Sequence, residues 1–341
     1  MPDNTTAPQN STRPTAAWRP PAPLAATARL YQTVTRRYAH WGTRPGPLAP
    51  VGNQLRLVRP MTRTWFDAIM PLTVMTVLAR GWPEARPAAL MIASLVLTHA
   101  ALTVVNDLMD LDTDAASSEP MRFQRPLVRG VYTRRTAIAE AVLLFLAGSA
   151  CAFAASLPGG IVLTALALVA LQHELPPART QSRPVISQLA GVIGLVAIIG
   201  ATGTVPGFDH LAAALPYLLF VAVYMGVAEM LVKDIRDVDN DGATGKNTTA
   251  TRYGSAAATG YATLAYSAAL GAWLWFAFTS PPTAAWAAYA ATAVMVCWIG
   301  YTLYARAVLH RHFVKGVCVS LHVGSIGVFT TVNVLTLAGQ F

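Results

Sequence analysis

Charge is scarce in this chain. Across 341 residues only 12% are Asp, Glu, Lys or Arg, about half the ~25% of an average soluble domain. With 54% hydrophobic residues and a mean hydropathy of +0.44, that scarcity excludes an ordinary soluble domain and points to a membrane protein. Cysteine is scarcer still. Cys151, Cys297 and Cys318 are odd in number and embedded in apolar runs, which excludes a disulfide framework and a thiolate metal centre. No apolar segment of signal-peptide type precedes Leu55.

What is present is a succession of apolar segments, near residues 64–82, 87–105, 136–157, 159–172, 185–205, 211–232, 255–278, 283–307 and 315–338. Most approach the ~20 residues that a spanning helix needs. The expected fold is therefore all-α, a polytopic bundle of nine transmembrane helices. Lys and Arg collect in short cytoplasmic loops, and placing the N-terminus inside leaves only Arg80 and Arg86 of the 25 basic residues outside. Losing or adding one span would move half of the basic loops to the wrong face. The expected location is the cell (cytoplasmic) membrane, with the N-terminus inside. The formal charge of +9 then reflects topology and anionic lipid, so the lipid bilayer is the expected partner and nucleic acid is not.

Residues 1–54, rich in Pro, Thr, Ala and Arg, read as a disordered or amphipathic cytoplasmic extension, with a short membrane-surface helix near residues 30–41. The transmembrane domain is expected over residues 55–341.

The scarce acidic residues are not spread out. Half of the 16 fall into two octads, "DLMDLDTD" from Asp107 and "DIRDVDND" from Asp234, with Asp at the same four positions in each. At ~100° per residue, Asp107, Asp110 and Asp114 lie within about 60° of one another on a helix, as do Asp234, Asp237 and Asp241. Asp112 and Asp239 point away. Both octads follow even-numbered spans, so both faces open on the cytoplasmic side.

Such carboxylates at the edge of a membrane need neutralising cations. Surface salt bridges do not call for matched spacing in two places. "DVDNDG" imitates the start of a calcium-binding EF-hand loop, but Thr248 stands where that loop needs a bidentate Glu. Mg²⁺ shared with a phosphorylated ligand remains, because Arg122, Arg125 and Arg129 follow the first octad, while Lys233, Arg236, Lys246 and Arg252 surround the second. Two such clusters can clamp one diphosphate from opposite sides.

"NDLMDLDTDAASSEPMRFQRPLVRG" resembles the N-D-x-x-D-x-x-x-D and R-P-x-x-x-G motif of the UbiA superfamily of intramembrane prenyltransferases. "KDIRDVDNDGATGKNTTATRYG" resembles that family's K-D-x-x-D-x-x-x-D, G-K-x-T and R-x-G motif. The resemblance implies that Asn106, Asp107, Asp110, Asp114, Asp234, Asp237 and Asp241 bind Mg²⁺ and, through it, a prenyl diphosphate. It implies that Arg122, Arg125, Lys233, Lys246 and Arg252 hold the phosphates, and that Asp110, Asp237, Lys233 and Arg125 are the catalytic core. In relatives resembling chlorophyll synthases the loop after the fourth span reads Y-S-x-P-P-x-R-x-K. Here it is "HELPPARTQSR": Pro176, Pro177 and Arg179 match, His173 and Glu174 replace Tyr-Ser, Gln181 replaces Lys, and Arg183 is a substitute cation.

The chemistry implied is ionisation of an allylic diphosphate and transfer of the prenyl group to an acceptor, aromatic or a quinone precursor. A terpene cyclase of the same superfamily needs the same diphosphate machinery, and a phosphoribosyl-transferring relative is a further branch. A cation or phosphometabolite transporter calls for ligands at mid-depth, whereas these carboxylates gather at one face. Tyr217, Tyr224, Trp273 and Phe276 read as core or interface aromatics that can also face an allylic cation. His99 reads as a packed polar residue, and Glu229 as a buried functional carboxylate.

Overall fold

A computed structural model describes residues 46–47, 49–58, 60–115, 125–175, 178–243 and 245–279, the side chains of 60–66, 236 and 240 excepted. The eighth and ninth expected spans, Arg122, and the segment near residues 30–41 lie outside the described residues. The regular elements among them are all helical: α1 Ala49–Val58, α2 Pro60–Ala79, α3 Ala85–Met109, α4 Leu111–Ala115, α5 Arg134–Ala155, α6 Leu157–Glu174, α7 Ile186–Gly203, α8 Leu211–Val223, α9 Glu229–Ala243 and α10 Thr249–Thr279. A π-helical turn over Tyr224–Ala228 joins α8 to α9, making one continuous apolar element. Among the described residues, six helices are long and apolar enough to cross a membrane, and α2 matches the first expected span. No strand occurs among the described residues.

The bundle is assembled through small residues, as expected where lipid offers no hydrophobic drive for helices to associate. On α5, Ala137, Ala141, Gly148 and Ala152 are buried, while Ile138, Val142, Leu146 and Phe153 are exposed toward lipid. That buried stripe packs on α3. At Gly148 a Cβ would lie 2.6 Å from Thr98 Oγ1 and 3.1 Å from the Ser94 carbonyl oxygen. A second close crossing sets α7 against the π-turn, where a Cβ on Gly191 would lie 2.9 Å from the Gly226 carbonyl oxygen.

An aromatic core fills the interior between α8, the π-turn and α10. Tyr217, Phe220, Trp273 and Phe276 surround one another at ring separations from 4.9 to 6.4 Å, and Tyr224 meets Tyr266 edge-on at 5.5 Å. All six are buried. A separate cluster seats α1 on the bundle, with Leu57 buried among Val104, Leu127, Ala137 and Ala141. Gln54 Nε2 donates to Glu140 and Tyr132 Oη donates to Gln54 Oε1. Helix α1 thus runs across residue 54 without a break.

Candidate functional site

Both octads lie at the same end of the bundle, and their predicted faces are the buried ones. Asp107, Asp110, Asp114, Asp234, Asp237 and Asp241 are all buried, whereas Asp112 and Asp239 are exposed. The two octads reach this by different backbones. α9 carries the second without interruption. In the first, α3 ends at Met109, Asp110 adopts φ −95°, ψ 7° as its C-cap, and α4 restarts at Leu111. Backbone bonds from Asp110 N to Asn106 O and from Asp114 N to Asp110 O carry the chain through the break, so the carboxylates keep their common face.

Basic side chains from three separate segments converge on the first octad. Arg125 bridges Asp107, at 3.0 Å, and Asp114. Arg179, from the loop after α6, lies 3.5 Å from Asp110 Oδ1, and Lys246, from the loop after α9, lies 3.1 Å from its Oδ2. That last contact joins the two motifs across 136 positions of sequence. Asn106 Nδ2 donates to Asp110 Oδ2 at 3.4 Å and to Glu174 Oε2 at 2.8 Å. Its amide nitrogen is thereby committed, which turns its oxygen into the group available to a cation.

Asp234 is held by Gln188 Nε2 at 3.0 Å and by the Thr249 backbone N–H at 3.3 Å. Burial, and then the neighbouring Asp237 charge, push the Asp241 carboxyl up to about 6, against the pull of Lys246 and Lys233. Carboxylates this crowded favour a bound cation, which relieves their mutual repulsion. The donor set is all oxygen, which suits a hard divalent ion such as Mg²⁺. Among the described residues, no three acidic, histidine or thiol groups are gathered closely enough to hold a metal as they stand; Arg125 and Lys246 lie between the carboxylates instead.

Not every expected residue joins the cluster. Lys233 is exposed, and its charge bears on both Asp234 and Asp241. Arg183 is exposed, and Arg252 is exposed with its guanidinium 5.5 Å above the Tyr253 ring. Three residues without an assigned role do join: Glu174, which also accepts from Gln181 Nε2 at 2.7 Å, Gln188 and Thr249. Glu174 was visible as a departure from the Tyr-Ser pattern; Gln188 and Thr249 carried no local signal.

Residues 68–332 match the model of the UbiA prenyltransferase family. The digeranylgeranylglyceryl phosphate synthase of Methanoregula boonei is 32% identical over 166 residues, 48% of this chain and 56% of that protein. The enzyme of the same name from Thermococcus kodakarensis is 29% identical over 180 residues, 50% of this chain and 58% of that protein. The chain spans about half the length of the curated relatives it matches. A UbiA homolog from Archaeoglobus fulgidus bound to GPP and Mg²⁺ superposes with a TM-score of 0.62 at 14% identity, covering 84% of this chain and 99% of that one. A UbiA homolog from Aeropyrum pernix gives 0.57 at 21% identity, over 78% of this chain and 96% of that one.

Proposed function

The chain belongs to the UbiA prenyltransferase family and is a multi-pass membrane protein, and on that premise we propose that it is an Mg²⁺-dependent prenyltransferase acting on a prenyl diphosphate at the cytoplasmic face of the cell membrane. The observation that carries the proposal is the meeting of Asp110 with Lys246 and Arg179. One carboxylate of the first octad is thereby in contact with the loop that follows the second and with the loop after α6. A ligand bound at that point touches all three.

In this reading Asn106, Asp107, Asp110, Asp114, Asp234, Asp237 and Asp241 hold Mg²⁺. Arg122, Arg125, Arg179, Arg183, Lys233, Lys246 and Arg252 serve the diphosphate, with Arg125, Arg179 and Lys246 turning from carboxylates to phosphate oxygens. Bound Mg²⁺ supplies charge neutralisation of the leaving diphosphate. Asp110 and Asp237 set the negative potential that gathers these cations, while Arg125 and Lys233 stabilise charge developing on the leaving group. The helical bundle excludes water, which protects an allylic cation from capture. The buried faces of Tyr217, Tyr224, Trp273 and Phe276 supply electron-rich walls.

The acceptor expected from the sequence is aromatic or a quinone precursor. The names of the curated relatives support a second reading, in which the acceptor is a glyceryl phosphate lipid. Purified protein in liposomes, given geranyl and geranylgeranyl diphosphates with Mg²⁺, is to be assayed for products with 4-hydroxybenzoate, with a prenylglyceryl phosphate, and with neither. Mg²⁺-dependent diphosphate release together with a prenylated acceptor is expected. A cyclic hydrocarbon formed without acceptor identifies a cyclase instead, and no diphosphate release from either substrate refutes the proposal.

A further inference from the structure

A strained turn stands at the entrance to α7. Ile186 N donates to the Pro184 carbonyl oxygen at 2.8 Å across Val185, whose φ of 68° and ψ of −48° describe a γ-turn of the rare kind. A β-branched residue at positive φ is an outlier, and such strain persists only where the surroundings over-determine the backbone. The Val185 side chain is 64% exposed, so its packing does not hold the turn. A hydrogen bond does. The Val185 N–H donates to Gln188 Oε1 at 2.9 Å, the reach of a third helical residue back to its cap.

Gln188 is itself buried. Its Oε1 also accepts from the Thr249 hydroxyl at 3.3 Å, and its Nε2 donates to Asp234 Oδ2 at 3.0 Å. With two donors on the oxygen the amide has one orientation: turned over, it would set N–H against N–H at Val185 and oxygen against carboxylate at Asp234. Asp234 receives a second donor on the same oxygen, the Thr249 backbone N–H at 3.3 Å, from the first residue of α10. Its Oδ1 takes no hydrogen bond among the described residues. Asp107, Asp110 and Asp114 are met by cations. Asp234 is gripped by neutral donors, which orient a carboxylate without cancelling its charge.

Resting on the metal site proposed above, we infer that Gln188 is a positioning residue for the second octad: locked by the Val185 turn and by Thr249, it holds Asp234 Oδ2 so that Oδ1 is presented to the divalent cation. The segment from Arg179 to Gln188 thereby serves both octads, since Arg179 reaches Asp110 and Gln188 reaches Asp234. The competing role is structural, with Gln188 capping α7 and Asp234 capping α10. A metal titration tells the two apart.

Full-length protein in detergent is titrated with Mn²⁺, read by electron paramagnetic resonance without turnover, and the Mg²⁺ concentration at half-maximal diphosphate release is measured separately. Gln188→Met keeps the volume and removes the bonds to Val185, Thr249 and Asp234. It is expected to weaken Mn²⁺ binding ~10- to 100-fold, the cost of losing an outer partner of a metal ligand, and to raise the Mg²⁺ requirement in parallel. Thr249→Val keeps the backbone N–H and loses only the hydroxyl bond to Gln188. A weakening of about threefold or more is expected there, with Thr249→Ser recovering most of it, and this pair serves as the test if Gln188→Met does not fold. A double-mutant cycle separates the two roles: in an Asp234→Asn background Gln188→Met should change Mn²⁺ affinity by less than about twofold, because its effect runs through that carboxylate. Wild-type Mn²⁺ affinity in folded Gln188→Met or Thr249→Val protein would overturn the inference, as would equal weakening with and without the Asp234 carboxylate. Either result leaves the diphosphate site standing. Wild-type protein that binds no Mn²⁺ overturns both.

Discussion

Replacing Asp110 by asparagine removes one negative charge at almost constant volume, at the point where the two motifs meet. The lost partners are Lys246 Nζ at 3.1 Å and Arg179 Nη2 at 3.5 Å. Asp110 and Lys246 are both largely withdrawn from solvent, and leaving a cation near a neutral amide costs up to about 3 kcal/mol of stability. Arg179 is more exposed, with 38% of its side chain in solvent, and adds little. The catalytic loss is separate. If Asp110 holds the cation that neutralises the leaving group, turnover should fall ~10²- to 10³-fold, about 2.7–4 kcal/mol of transition-state stabilisation. Asp112→Asn is the internal control. That side chain is 96% exposed and lies 3.8 Å from the exposed Arg134, and turnover should stay within about twofold. Asp237→Asn and Asp239→Asn repeat the contrast on α9. Diphosphate release from geranyl diphosphate is measured against Mg²⁺ concentration, with thermal unfolding in detergent confirming that each variant is folded. Equal damage in Asp110→Asn and Asp112→Asn would refute the shared-face argument, and no damage in either would remove the diphosphate site.

Gly148→Leu should lower unfolding stability by about 1–3 kcal/mol, since even its Cβ would lie 2.6 Å from Thr98 Oγ1; thermal unfolding in detergent checks this, and an unchanged midpoint would deny the close α3–α5 crossing. In a background with Cys151, Cys297 and Cys318 replaced by serine, Leu157→Cys, at a position 65% exposed, should react with an impermeant maleimide added to intact cells, and Asn247→Cys should not; reversed labelling would invert the proposed orientation. Deleting residues 1–45 should leave turnover within a few-fold, because α1 and its contacts to Glu140 and Tyr132 are retained; an inserted deletion mutant without activity would mean that the tail closes the site.

The site was legible to the extent that it repeats and follows helical periodicity. Matched Asp spacing identified the six buried carboxylates and set Asp112 and Asp239 apart, because a helix turns residue spacing into direction. Arg125 and Lys246 were legible by their closeness in sequence to the octads. What periodicity cannot carry is contact between distant segments. Gln188, with no pattern around it, reaches Asp234 across 46 positions, and Asn106 reaches Glu174 across 68, a pairing that the departure from Tyr-Ser at Glu174 does not announce. The Asp67 carboxylate 2.6 Å from His99 Nδ1 likewise stands on another helix. The break after Met109 and the π-turn at Tyr224–Ala228 are hidden differently. "NDLMDLDTD" and "YMGVA" are both compatible with a plain α-helix, and the close fit of Gly226 against α7 accompanies a π-turn that composition does not announce.

The central claim is that both octads hold one metal–diphosphate between them. Anomalous diffraction from crystals grown with Mn²⁺ and the non-ionising thiolodiphosphate analogue of geranyl diphosphate tests it most directly. The account predicts manganese peaks coordinated by carboxylate oxygens of Asp110 or its octad partners and by those of Asp237 or its partners, with the analogue's phosphates between them and within reach of Lys246 and Arg179. Manganese confined to one octad, with the diphosphate elsewhere, would contradict it.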